Sequence, residues 1–164
     1  GHNIGKSIQE DNCNEIIEEI FYQSSKESCR IIYPEDVVVS TDLNGSPKIK
    51  ETNDVFEDEL ILDIGPKSIE IINNIIEESR SILWNGPAGY FENPNFANGS
   101  IEIAKKIIER NKANEIYSVA GGGDTVALLN NLSAVKNFDF VSTAGGAFLE
   151  YLEGKELPGI KALN

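Results

Sequence analysis

Apolar residues recur along this chain first at helical spacing and then in short β-branched runs. Ile16, Ile17, Ile20 and Phe21 follow Asp11, which can cap the helix they predict. CRIIY (29–33) reads as a buried strand, and DVVVST (36–41) as another that ends in the turn LNGSP. After an acidic connection, ELILDI (59–64) is a strand, and Pro66 opens a helix with Ile69, Ile72, Ile75 and Ile76 on one side. SILWN, EIYSVA and FDFVST supply further strands, each followed by a loop and a helix, the first of these helices at about 101–110. Such repeated units predict an α/β fold: a three-layer, Rossmann-like domain with a mostly parallel sheet covered on both faces. No fixed-period repeat and no low-complexity segment interrupts the pattern.

The candidate chemistry lies where these strands end. In SVAGGGDTVAL (118–128), three consecutive glycines close a strand and open a helix. Gly121, Gly122 and Gly123 carry no side chain, so backbone N–H groups there can approach a bulky anion. The following helix adds unpaired N–H groups and a positive dipole end. Asp124 offers a carboxylate suited to a metal ion, and Thr125 a hydroxyl that can reach a phosphate oxygen. A tight turn with ordinary N-capping is the alternative use of these residues. VSTAGGAFLEYL (141–152) repeats the device: Ser142 and Thr143 can cap, while Gly145 and Gly146 leave backbone donors uncovered. Two strand ends then aim helix N-termini at one edge of a parallel sheet, where ligands bind in open α/β folds. A third loop, WNGPAGYFENPNFANGS (84–100), follows an irregular path fixed by glycine and proline and offers Asn85, Tyr90, Phe91 and Glu92 as contacts.

With these loops in this order, the chain resembles the C-terminal, nucleotide-binding half of the phosphoglycerate kinase family. The resemblance runs through GHNIGKS (1–7), LDIGPKS (62–68), WNGPAGYFE (84–92), GGGDT (121–125), STAGGA (142–147) and LEYLEGKELPG (149–159), nearly the whole chain. It implies that 1–164 is part of that nucleotide-binding domain, its sheet incomplete because upstream strands are missing, with the N-terminal substrate domain absent. The implied reaction is reversible phosphoryl transfer between 1,3-bisphosphoglycerate and ADP with Mg2+, giving 3-phosphoglycerate and ATP. By the same resemblance, Asp124 works with the magnesium of the nucleotide, Thr125 contacts its phosphates, and Gly121, Gly122 and Gly123 line the phosphate path. Asn85, Pro87, Gly89 and Tyr90 match positions that wall the nucleotide, and Glu92 matches the carboxylate that accepts from the ribose hydroxyls. Ile8 and Leu62 match apolar positions beside the adenine. Ser142, Thr143, Gly145 and Gly146 match the catalytic loop that faces the moving phosphoryl group.

The chain departs from the family pattern at Ala144, where glycine is usual, at Phe148, at Ile61 and at Tyr90. The lysine-bearing GGAKVSDK segment of the family would precede Gly1, so these residues alone are expected to lack kinase activity. Phosphoglycerate is then a partner only of the full-length enzyme, which the resemblance makes a monomer. The shortened sheet is expected to expose an edge and apolar surface, so that the fragment self-associates, with the tail KELPGIKALN undocked. A non-catalytic nucleotide- or anion-binding module is the alternative. A dinucleotide-dependent dehydrogenase is disfavoured, because no strand here is followed by G-x-G-x-x-G with an acid about twenty residues on.

Composition narrows the partners. The 164 residues can bury one sizeable core, so one compact unit is expected. A formal charge of −13, from 27 acidic and 14 basic residues, argues against nucleic acid or an anionic membrane as partner. Acidic clusters such as Glu15, Glu18, Glu19 and Glu57, Asp58, Glu59 read as solvated faces. Cys13 and Cys29 lack metal-ligand spacing and suggest a reducing compartment. His2, the only histidine, stands at the very start, which disfavours a hydrolase triad. No run of apolar residues approaches the ~20 needed to span a bilayer and no secretory signal is seen, so a cytoplasmic protein is expected. The absence of methionine suggests a piece of a longer chain.

Overall fold

The computed structural model describes residues 2–163; Gly1 of GHNIGKS and Asn164 at the end of the tail lie outside the described residues. The chain divides into two compact units, Gly1–Ser68 and Ile69–Asn164, rather than the single unit expected from its length.

The first unit begins with helix α1, Asn14–Lys26. Cys13 occupies its N-cap position and no side chain caps it, so the predicted role of Asp11 is not realised. No residue of α1 is buried, and the Ile16, Ile17, Ile20 and Phe21 stripe is exposed. CRIIY is not a strand. Ile32 and Tyr33 are exposed, and strand β1, Asp36–Ser40, pairs instead with β2, Lys48–Glu51, on one side and β3, Leu60–Ile64, on the other. All pairings in this sheet are antiparallel, so the parallel part of the mostly parallel arrangement expected lies in the other unit. The connections at 41–47 and 52–59 contain no crossover α-helix, and short connections of this kind favour antiparallel neighbours. Every residue of β1 is buried, whereas β2, KIKE, is almost wholly exposed and carries one apolar residue. Val37, Val39 and Val55 form the small core, with Ile61 packed against it.

The boundary between the units falls inside helix α2, Pro66–Glu78. Its start is held within the first unit. The Asp36 carboxylate accepts from Lys67 N–H (3.0 Å) and Ser68 N–H (2.8 Å), while Ser68 Oγ accepts from Glu35 and Asp36 N–H (3.0 and 3.1 Å).

The second unit realises the predicted α/β pattern. β4 (Ser81–Asn85), β5 (Tyr117–Gly121) and β6 (Phe140–Val141) form a parallel sheet in the order β4-β5-β6. Helix α3, Asn98–Lys112, lies between β4 and β5 in the chain and buries Ile103, Ala104 and Ile107, spaced for one helical face. Helix α4, Gly123–Asn131, buries Leu128 and Leu129, and Trp84 stacks on Phe138 with ring centroids 6.2 Å apart. On the sheet, Leu83, Tyr117 and Phe140 are each about half exposed. Helices α5, Gly146–Leu152, and α6, Pro158–Lys161, complete the unit. Among the described residues, no helix is long and apolar enough to cross a membrane.

Candidate functional site

Because β4, β5 and β6 run parallel, their carboxyl ends share one edge of the sheet. Asn85 and Gly121 are register partners there, and Ser142, just past β6, donates its N–H to Ala120 C=O at 2.8 Å. Both glycine corners therefore open on the same side.

The first corner turns at Gly122, whose φ of 89° lies in the left-handed region that favours glycine. A Cβ at this position would also lie 2.8 Å from Asn85 Oδ1. The first helical hydrogen bond of α4 runs from Val126 N–H to Gly122 C=O at 3.0 Å, and no side chain caps the helix. Its leading N–H groups thus have no intrahelical acceptor. A Cβ at Gly123 would meet nothing within 4 Å, so the backbone there faces open space.

Thr125 and Asp124 occupy opposite situations. Thr125 is fully buried, and its Oγ1 accepts from Gly86 N–H at 2.7 Å, tying the end of β4 to the start of α4. The Thr125 hydroxyl is thus engaged inside the protein. Asp124 is exposed in the first turn of α4, where a carboxylate benefits from the helix dipole. Among the described residues, no group of three or more His, Cys, Asp or Glu is arranged to hold a metal ion. A Mg2+ ion carried by a polyphosphate needs only one or two protein carboxylates beside phosphate and water, so a single exposed aspartate fits that mode of binding.

The second corner has a buried Ser142, whose Oγ accepts from Ala144 N–H at 3.3 Å, an exposed Thr143, and Gly145 with a φ of 57°. Gly145 and Gly146 have open space where a side chain would stand. Between the corners lies a cavity of about 160 Å³ lined by Gly122, Gly123, Val126, Ser142, Thr143 and Gly145. Pockets for whole small molecules usually measure roughly 300–1,000 Å³, so this one suits a phosphoryl-sized group. No lining residue carries a charge. Ala144, where the family usually has glycine, is not part of the lining.

The loop at 84–100 is braced from within. Trp84 Nε1–H donates to Gly86 C=O at 2.8 Å, Ala88 N–H donates to Ser100 Oγ at 2.8 Å, and the Asn93 side chain accepts from Asn95 N–H. Pro87, Gly89 and Tyr90 are half-buried, while Asn85 and Glu92 are exposed. Trp84 itself is buried.

Ile8 and Leu62 belong to the first unit: Ile8 is fully exposed and Leu62 is buried in β3. Ile61, noted for departing from the family pattern, packs on the valine core of that unit.

A brace at the β5–β6 junction went unread in the sequence. The Asp139 carboxylate accepts from Ser118 N–H (2.7 Å), from Ser118 Oγ–H (3.1 Å) and from the Asn111 amide. The bond from the Ser118 N–H is the main cause holding this carboxyl below its ordinary 3.8. The available signal was a lone aspartate inside the aromatic run FDF.

A family model described as phosphoglycerate kinase matches residues 1–155. The phosphoglycerate kinase of Zymomonas mobilis is 46% identical over 165 residues, covering 99% of this chain and 42% of that protein. The one from Methylorubrum extorquens is 44% identical, covering 99% of this chain and 41% of its own length. The solved structure of phosphoglycerate kinase from Coxiella burnetii superposes with a TM-score of 0.90 at 34% identity, over 100% of this chain and 42% of that one. That from Pyrococcus horikoshii gives a TM-score of 0.72 at 27% identity, over 99% and 40%. The chain thus spans about two fifths of the length of the relatives it matches. On the extent of these matches, and with the glycine corners meeting at one sheet edge, the chain belongs to the phosphoglycerate kinase family.

Proposed function

We propose that these residues are the nucleotide-binding part of a glycolytic phosphoglycerate kinase, working in the cytoplasm on ADP and ATP. The reaction is the transfer of a phosphoryl group between 1,3-bisphosphoglycerate and ADP. One observation carries this reading: two glycine corners on the same sheet edge enclose a cavity of phosphoryl size with bare backbone on both sides. Phosphoryl transfer asks a protein mainly for positioning and charge neutralisation. Here the amides at the start of α4 supply the first, and Asp124 orients the cation that accompanies the nucleotide. Mg2+, when bound, neutralises the phosphate oxygens. Glu92, exposed on the 84–100 loop, is the acceptor for the ribose hydroxyls, with Asn85, Pro87, Gly89 and Tyr90 as the neighbouring wall.

The cavity lining contains no lysine or arginine. Developing negative charge there has no cationic side chain beside it, so the 164-residue chain on its own binds nucleotide without turning over substrate. Seen in isolation, the uncharged lining equally favours a non-catalytic anion-binding module.

Calorimetric titration tests the assignment. ADP with Mg2+ should bind the parent chain and bind Asp124→Asn more weakly, while ADP without metal should bind both alike. Equal affinities with the metal present would remove Asp124 from the cation's coordination, and no binding by the parent would remove the nucleotide reading. A coupled assay that detected turnover by the chain alone would show that the cationic groups are not needed.

A further inference from the structure

Gly121, Gly122 and Gly123 are consecutive, yet the structure gives each a different reason to lack a side chain. Gly122 needs its positive φ, and Gly123 has open space over its Cα. Gly121 has neither reason. It is buried, its φ is not in the left-handed region, and a Cβ there would lie 2.6 Å from both Cδ1 and Cε1 of Phe148. The next atom that Cβ would meet is Asn85 Oδ1 at 3.6 Å, an ordinary contact. A methyl group at position 121 would therefore have to displace the phenyl ring, the one group in its way.

The ring matters because α5 has little else to hold it. Of the residues Gly146–Leu152, Phe148 is the one that is not exposed; Leu149, Tyr151 and Leu152 face solvent at 39%, 61% and 52%. Phe148 N–H also donates to Gly145 C=O at 3.1 Å, closing the turn that carries the second glycine corner. The ring seated on Gly121 thus links the two corners directly. Thr143 and Gly145 face Gly122 and Gly123 across the cavity.

We propose that Phe148 is a positioning residue that fixes the spacing of the two corners by packing on the bare Cα of Gly121. Its bearing on nucleotide binding rests on the function proposed above; the seat itself does not. Close packing leaves no slack for a methyl group under an aromatic ring, so the two positions are coupled.

Amide hydrogen exchange on the unliganded chain tests the seat without any ligand. Phe148→Ala should raise exchange across 146–152 by about tenfold or more, with α3 and β5 unchanged. Gly121→Ala should do the same by expelling the ring, and the double variant G121A/F148A should be no worse than F148A alone. Phe148→Leu, which keeps an apolar body over Gly121, should retain most of the protection. Gly123→Ala should leave α5 unaffected. Unchanged α5 exchange in Gly121→Ala, or additive effects in the double variant, would overturn the proposal. ADP titration with Mg2+ reads the consequence: weakened binding in F148A with retention in F148L supports the positioning role, and full-strength binding in F148A refutes it. A parent chain that binds no ADP sinks the nucleotide reading, while the exchange pattern still decides whether Phe148 sets the corners.

Discussion

Replacing Asp36 by alanine should destabilise the first unit by about 3 kcal/mol, more than any exposed substitution. Asp36 is 1% exposed, and its carboxylate serves as a remote cap for α2, accepting from the N–H groups of Lys67 and Ser68 and from the Ser68 hydroxyl at 2.7 Å. Loss of a helix cap typically costs ~0.5–2 kcal/mol, and a hydrogen bond to a charged group contributes about 1.5–3. Partial re-solvation of the helix start keeps the total below the sum. With a urea m-value of about 2 kcal/mol/M, the midpoint should fall by about 1.5 M. Asp36→Asn keeps an acceptor oxygen but turns an amide toward an N–H group, and should lose about half as much. Burial pushes the Asp36 carboxyl up, but the bonds from Ser68 and Lys67 and the Lys67 charge outweigh it and hold the group below its ordinary 3.8. A depressed carboxyl stabilises fully above its unfolded value and loses that contribution as pH falls through the folded one. The difference between parent and Asp36→Asn should therefore be constant near neutrality and narrow as pH drops below about 4. Circular dichroism of urea unfolding at several pH values gives both numbers. An Asp36→Ala midpoint equal to that of the parent, or a difference that grows in acid, would refute the capping argument.

Glu59 is buried against Lys50 rather than on the solvated face its acidic run suggested, and this ion pair, 2.8 Å apart, should be costly to break from one side: Lys50→Met should lose about 3–5 kcal/mol in the same unfolding assay, because the buried Glu59 carboxylate then keeps the Phe56 N–H but loses its cation. Thr125→Val should cost about 1–3 kcal/mol by stripping Gly86 N–H of its acceptor, and Thr125→Ser should recover most of it. NMR titration should place the Asp139 carboxyl below 3.8, and Ser118→Ala should move it upward by removing one of the bonds that favour its charged form.

The second unit was legible because local signals and tertiary environment agree there. SILWN and EIYSVA are apolar runs bounded by turn residues, the helix between them carries buried residues at i, i+3, i+4 spacing, and a crossover helix dictates parallel pairing. The first unit was read less well, for three separate reasons. KIKE has a single apolar residue, and its identity as a strand comes from pairing with β1. CRIIY has the composition of a strand, but Ile32 and Tyr33 are exposed, so the burial that would favour a paired strand is missing. The α1 stripe has helical spacing, and the helix forms, yet the spacing says nothing about whether its apolar face is covered.

The residues that carried the family resemblance divide by physical role in a way that sequence alone does not separate. In LDIGPKS, Gly65 has no room for a methyl group because the Asp36 carboxyl would lie 2.3 Å from it, Pro66 starts α2, and Ser68 Oγ binds back to β1. The segment is recognisable because it locks a helix to a sheet, and its conformation leaves nothing for a ligand to use at Gly65. In GGGDT the same letter stands for a seat under an aromatic ring, a left-handed turn and an open amide in succession. A glycine becomes informative about binding only where its missing side chain faces empty space at a rim shared with other donors. By that measure Gly123 and Gly146 are the positions where an added methyl group should weaken phosphate binding while leaving the fold intact, whereas at Gly65 and Gly121, and at Gly145 with its left-handed φ, it should disturb the fold first.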